Sequence, residues 1–148
     1  MTQMPEDVRT ALERLMIDYC YAVDGLQDVQ PLLDIFTDDA KADLTAIGLP
    51  MMNDKSDIKA FFDGVFEQMS HHFHFMSNFR PESWDGEVGA MSAYVIGMGR
   101  AHDGNRVEVQ VKYRMECVET QTGWKCRHYT ITPMMPLPGS LDQIHGDH

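Results

Sequence analysis

Basic side chains are scarce in this chain. Twelve Lys and Arg stand against 23 Asp and Glu, a formal net charge of −11 at pH 7 with histidine neutral. A nucleic-acid surface needs Lys and Arg clustered over phosphates, so this balance argues against DNA or RNA as a partner, and equally against an anionic membrane surface. No apolar run approaches ~18 residues, so no membrane-spanning helix is expected. The opening MTQMPEDVRT lacks the basic-then-apolar order of a secretion signal, and a cytoplasmic location is the expectation. Cysteine is limited to Cys20, Cys117 and Cys126, an odd set expected to remain free thiols. The sequence has no glycine-rich phosphate loop leading into a helix, no Gly-x-Ser-x-Gly, no Cys-x-x-Cys and no His-Glu-x-x-His. Nucleotide-dependent chemistry and zinc hydrolysis lose their usual signatures with them.

What is present is enough for a core: 148 residues, 43% of them hydrophobic, which fits one domain and argues against disorder. No repeat or linker divides the chain. Residues 1–135 are expected to form the domain, and residues 136–148, with Pro138, Gly139 and Gly146, a tail that frays or orders on a partner.

Helical spacing dominates the first third. Val8, Leu12, Leu15, Tyr19 and Ala22 recur at steps of 4, 3, 4 and 3, a core-facing stripe. Met16, Cys20 and Asp24 run beside it, so the helix delivers a carboxylate at the end of an apolar face, with Gly25 as the stop. Asp28 is the N-cap expected for a short second helix through Leu32, Leu33 and Phe36, ending at Asp38 and Asp39. A third helix is expected over residues 57–69, capped by Ser56. Beyond residue 70 the period falls to 2. From Val107 to Cys117 apolar residues alternate with Glu108, Gln110, Lys112, Arg114 and Glu116, a strand with one buried face. Residues 71–79, 88–99 and 124–135 are further strands, residues 41–46 a short first one, and residues 103–105 and 121–123 hairpin turns. Helices followed by a run of antiparallel strands give an α+β class, with about three helices gathered on one face of a curved sheet.

Several residues on this scaffold carry chemistry. On the first long strand His72, His74, Met76 and Asn78 face one way and Phe73, Phe75, Ser77 and Phe79 the other. A histidine in such company is either a hydrogen-bonded core residue or a group lining the space under the helices. Asp24 sits at a helix C-terminus, the unfavourable end of the macrodipole by ~0.3–1 kcal/mol, and so calls for a partner. A histidine would serve: a carboxylate that accepts the imidazole N–H fixes the tautomer and stabilises the imidazolium formed when the other nitrogen takes a proton. His72 and His74 also have the spacing of two metal ligands, but the glutamate such a site wants four or five residues later is replaced by Asn78 and Phe79, so no metal is expected. Tyr113 points with Val111 and Met115 to the buried face, where its hydroxyl needs a partner. Tyr94 and Trp124 are placed similarly. The 12 methionines, Met76 among them, give a pocket adaptable walls. Spacing alone does not decide whether His102 or His128 reaches that pocket.

Three segments together resemble the SnoaL-like and scytalone dehydratase-like branch of the nuclear transport factor 2-like superfamily. The first is Tyr21-Ala22-Val23-Asp24 followed by Leu32-Leu33-Asp34-Ile35-Phe36-Thr37-Asp38-Asp39-Ala40. The second is His74-Phe75-Met76-Ser77-Asn78. The third runs from Tyr113 to Trp124. The resemblance implies a cone-shaped sheet that encloses a pocket with its helices. It also implies a His–Asp pair that moves a proton without a cofactor, at His74 and Asp24. Other positions depart from the dehydratase pattern. Val23 and Leu44 stand where that pattern has tyrosines, Lys112 and Arg114 near its serine and asparagine, and His102 is a loose match to its second pocket histidine. A substrate other than scytalone follows.

The expectation is thus a cofactor-free lyase, most simply a dehydratase of a small cyclic hydroxy-carbonyl compound, with Tyr113, Asn78, Tyr94, His102, Met76 and Trp124 around the substrate. An isomerase or polyketide cyclase would use the same proton transfer. A non-catalytic binding module, such as the small subunit of a ring-hydroxylating dioxygenase, is the alternative of another class. The phenylalanines opposite His74 predict a homodimer or homotrimer.

Overall fold

The computed structural model describes residues 3–139 and residue 141. Helix α1 (Glu6–Gly25) buries Val8, Leu12, Met16, Tyr19, Cys20 and Val23. The deep stripe therefore runs one position round from the expected one and leaves Leu15 and Ala22 half-buried. Helix α2 (Gln30–Leu33) is a single turn. Strand β1 (Phe36–Asp43) follows where the sequence suggested a helix ending at Asp38 and Asp39. A register shift in its pairing with the last strand hides the period of 2 that would have revealed it. A 3-10 turn (Thr45–Ile47) and strand β2 (Met51–Met52) lead to α3 (Lys55–Gln68).

The N-cap of α3 is Asp54 rather than Ser56. Its Oδ1 accepts from the Asp57 backbone N–H at 2.9 Å, and Asp57 Oδ2 accepts from the Asn53 N–H at 2.9 Å. This reciprocal arrangement satisfies two donors at the helix start. Ile58, Phe61, Phe62 and Val65 then point inward.

Four long strands complete the fold: β3 (Met69–Trp84), β4 (Val88–Ala101), β5 (Arg106–Thr120) and β6 (Gly123–Pro133). The sheet order is β2-β1-β6-β5-β4-β3. It is mixed rather than wholly antiparallel, because β1 runs parallel to β6; no hairpin joins those two strands, so none fixes their direction. Helix α1 packs on β3 and β4, and α3 on β1 and β3, so the helices close the concave side of a curved α+β sheet.

β3 carries three register shifts against β4. In one, Asn78 and Phe79 together face the single residue Ala93, between the Ser77–Tyr94 and Arg80–Ser92 pairs. Asn78 takes up the extra residue at φ 57°. Such a bulge bends the strand and reverses its alternation. Phe79 therefore turns toward the core, not outward with Phe73 and Phe75 as the strict alternation predicted. The outer face keeps Phe73, Phe75, Tyr94, Ile96 and Met98 exposed. Among the described residues no helix is long and apolar enough to cross a membrane, and all three cysteines are buried and free, with Cys117 and Cys126 paired across β5 and β6.

Candidate active site

α1 ends at Gly25, so Asp24 reaches out of its last turn toward β3. Both carboxylate oxygens are used there. Oδ2 accepts the backbone N–H of His74 at 3.1 Å, and Oδ1 lies 2.5 Å from His74 Nδ1. Because the carboxylate holds strand and ring together, the imidazole cannot pivot without breaking the second contact. A carboxylate against Nδ1 makes that nitrogen the donor, which leaves Nε2 with its lone pair. The side chains of His74 and Asp24 are 12% and 27% exposed, so their interaction is screened less than a surface pair. The penalty of a carboxylate at a helix C-terminus is offset by two N–H donors from the neighbouring strand.

The His74 ring faces a cavity of about 100 Å³. For scale, a dry cavity of ~150 Å³ takes up benzene. Most of the wall is aliphatic or aromatic: Val23, Leu44, Ile47, Phe62, Val109 and Ile131 are among its lining, and among the described residues no Lys, Arg, Asp or Glu side chain is. Among the described residues the polar side chains on the wall are His72, His74 and Tyr113. Tyr113 is buried in an aromatic cluster, its ring centroid 5.8 Å from Tyr19 and 5.3 Å from Tyr129. Burial pushes its pKa well above the ordinary phenol value, so it stays a neutral hydroxyl able to donate a hydrogen bond.

Two glycines make room for the imidazoles. Gly97 pairs with His74 and Gly99 with His72 across the β3–β4 ladder. A Cβ on Gly97 would stand 3.3 Å from both Cδ2 and Nε2 of His74, and one on Gly99 3.1 Å from His72 Cδ2. The rings thus lie over bare backbone.

The other expected contacts lie elsewhere. Tyr94 is 47% exposed; its parity on β4 is opposite to that of Ala93, Val95 and Gly97, so it belongs to the outer face. Asn78 is exposed, because the bulge it forms takes it out of the His72–His74 row. Met76 keeps that row but packs half-buried against the core and is not part of the cavity wall. His102 is exposed in the turn after β4, its backbone N–H donated to the Gln68 carbonyl; it borders a shallow outer groove beside Asp24 and His72. Trp124 pairs with Glu119 near the β5–β6 hairpin, seven residues or ~23 Å along the strand from the cavity-lining Ile131. It packs near Trp84, with centroids 6.3 Å apart, on a groove bordered by α1. His128 is half-buried on β6 and is not on the cavity wall.

Three cavity features were not assigned to the site from the sequence. His72, weighed there as a metal ligand, stands on the wall instead. Among the described residues no three His, Cys, Asp or Glu side chains gather to hold a metal. Gly97 and Gly99 are the second, and two glycines at a spacing of two, on the strand after two histidines at the same spacing, are a readable signal. Leu141, in the segment read as a frayed tail, is buried and lines the cavity, whereas residues 136–139 are mostly exposed; residue 140 and residues 142–148 lie outside the described residues.

No curated protein matches the chain. Among solved structures, one from Novosphingobium aromaticivorans, provisionally named an aromatic ring hydroxylase, superposes with a TM-score of 0.93 at 44% identity over 96% of this chain and 99% of that one. A second protein of that organism, provisionally named a scytalone dehydratase, gives 0.76 at 19% identity over 85% and 83%. The hexachlorocyclohexane dehydrochlorinase LinA-type3 of Novosphingobium barchaimii gives 0.73 at 20% identity over 90% and 92%. At those lower identities the likeness is one of fold. The model of the SnoaL-like domain matches residues 7–130, most of the sequence and every element from α1 through most of β6, and the chain therefore belongs to the SnoaL-like family.

Proposed function

We propose that the protein is a cofactor-free lyase, most simply a dehydratase, acting on a small uncharged cyclic hydroxy-carbonyl compound. The observation that carries this reading is the double hold of Asp24 on His74, which keeps the proton on Nδ1 and leaves Nε2 as the acceptor nitrogen of a ring that lines an apolar cavity. In the proposed step Nε2 takes a proton from the carbon next to the carbonyl. The electron pair of that C–H bond forms the new double bond as the C–O bond to the leaving hydroxyl breaks. Asp24 stabilises the imidazolium, which returns its proton to the leaving group as water. Tyr113 donates to the carbonyl oxygen as negative charge develops there.

A general base so placed contributes ~10²–10⁴-fold, and positioning in the cavity supplies the remainder. The test is a panel of cyclic hydroxy-ketones incubated in D₂O and read by mass spectrometry. Loss of water marks elimination, whereas deuterium gain without loss of water marks an isomerase using the same base. Conversion that persists in His74→Gln would overturn the assignment.

The name carried by the 44% identical relative favours a second reading, a module of a ring-hydroxylating system. It predicts that the isolated chain neither exchanges nor eliminates with any member of the panel, and that activity depends on a second protein.

A further inference from the structure

We propose that His72 is a substrate-binding residue: a neutral imidazole with its proton fixed on Nδ1, whose Nε2 accepts a hydrogen bond from a substrate hydroxyl beside the carbon that His74 deprotonates. The inference rests on the cavity being the substrate site, and it adds a substrate class, an uncharged ring compound bearing a hydroxyl donor as well as the reacting centre.

The tautomer follows from the partner. His72 Nδ1 lies 3.1 Å from the Val23 carbonyl oxygen, which can only accept, so Nδ1 carries the proton. Burial is the largest of the effects that push the His72 pKa below the ordinary histidine value, and the neighbouring His74 adds to it. The ring is therefore neutral at neutral pH, with Nε2 proton-free.

The two imidazoles then differ in a useful way. Their centroids are 5.5 Å apart with the planes at 88°, and both line the cavity. The Nδ1 proton of His74 goes to a carboxylate, which stabilises its protonated form; that of His72 goes to a neutral carbonyl. One ring is equipped to take up a proton and the other to remain an acceptor. Among the described residues no Lys or Arg side chain lines the cavity to receive an anionic group. A ligand without a second donor would strand His72 Nε2 in an apolar wall, and a buried acceptor left unpaired selects against such a ligand.

The test uses the whole protein with ¹⁵N-labelled histidine, and resorcinol and phenol as probes. Resorcinol brings two hydroxyls to the two acceptors, phenol one. In the free protein, two-bond ¹⁵N–¹H spectra at neutral pH are expected to show His72 protonated on Nδ1 alone. Saturating resorcinol is expected to move the Nε2 signals of both His72 and His74. In His72→Phe the resorcinol affinity falls roughly tenfold while phenol stays within about twofold.

A proton on His72 Nε2, an unmoved His72 signal at saturating resorcinol, equal losses for the two probes, or no binding of either phenol would each overturn the proposal. The tautomer reading needs no variant, so misfolding of His72→Phe would not shield it. Binding is measured without turnover. A protein that bound resorcinol through His72 but neither exchanged nor eliminated would uphold this inference and sink the lyase reading.

Discussion

The two faces of the β3–β4 ladder are built from the same two strands and do opposite things. At its mouth the inner face sets His72 and His74 over Gly99 and Gly97, two polar rings fixed by partners on α1, and Met76, Ala93 and Val95 continue the same face into the core. The outer face sets Phe73 against Met98 and Phe75 against Ile96, all four apolar and exposed. One residue of parity separates a ring held by a carboxylate from a ring in solvent. At the two histidines, therefore, apolar character does not decide which side chain is enclosed; room and hydrogen-bond partners do, and the glycines supply the room.

The comparison breaks most sharply at the Asp24–His74 pair. If the inner face is a base site, His74→Gln lowers kcat/KM by ~10²–10⁴-fold while far-UV circular dichroism stays unchanged. Asp24→Asn is expected to cost nearly as much, because an amide can present an N–H to Nδ1 and so favour the wrong tautomer. Outer substitutions such as Phe75→Ser should leave kcat/KM as it is. Equal losses on both faces would erase the distinction.

A smaller inner effect is expected at Gly97. The methyl of Gly97→Ala would meet the His74 ring at 3.3 Å, tight enough to displace an imidazole that Asp24 holds in one place. A shift of this kind lowers kcat by roughly tenfold with little change in KM, since a misplaced base loses rate rather than ground-state binding. Steady-state kinetics with any substrate found in the panel would show the split.

The inner face was more legible in the sequence than the rest of the cavity. Asp24 and His74 were readable because a helix-end carboxylate needs a partner and strand parity allows few candidates. Tyr113 was readable because the period-2 pattern of β5 is unbroken. Asn78 was misplaced because a bulge inserts a residue without leaving a local sign beyond an Asn that tolerates positive φ. β1 was misread because its register shift and its Asp pair break the alternation on which strand recognition depends. Tyr94 and Trp124 show that aromatic character does not decide which face or which end of a strand a residue occupies. Leu141 was out of reach for a different reason: a lone apolar residue after a Pro- and Gly-rich stretch has no periodicity to read.

Leu141 sharpens the comparison from the far end of the chain. It is buried although residues 132–137 before it are exposed, and it lines the cavity. Leu141→Ala is expected to raise KM several-fold and to leave kcat nearly unchanged, because it removes apolar contact shared by ground and transition states. On the outer face, Phe75→Ser is expected to change stability by no more than ~0.5 kcal/mol in the isolated chain. If the outer face joins copies of the chain, that substitution shifts sedimentation toward the monomer; an unchanged sedimentation coefficient would count against such an assembly.

The smallest expected effect concerns pH, and it again separates the buried imidazole from groups at the surface. Burial lowers the folded-state pKa of His72, opposed by the Val23 carbonyl and by Asp24 and helped by His74. The unfolded chain therefore binds more protons at this site than the folded one. Its contribution is present in full above the unfolded value of ~6.5 and is lost as pH falls from there through the lower folded value. Glu82, held low first by the Ser92 hydroxyl and then by Lys112, follows the carboxylate rule, with its contribution lost only below an unfolded value of ~4.3. Urea midpoints measured across pH should thus fall in two stages, an upper one set by an interior histidine and a lower one by carboxylates. His72→Phe is expected to flatten the upper stage and leave the lower one in place. Were the upper slope to survive that substitution, its source would be another histidine, and the burial of His72 would carry no weight in the pH response of the fold.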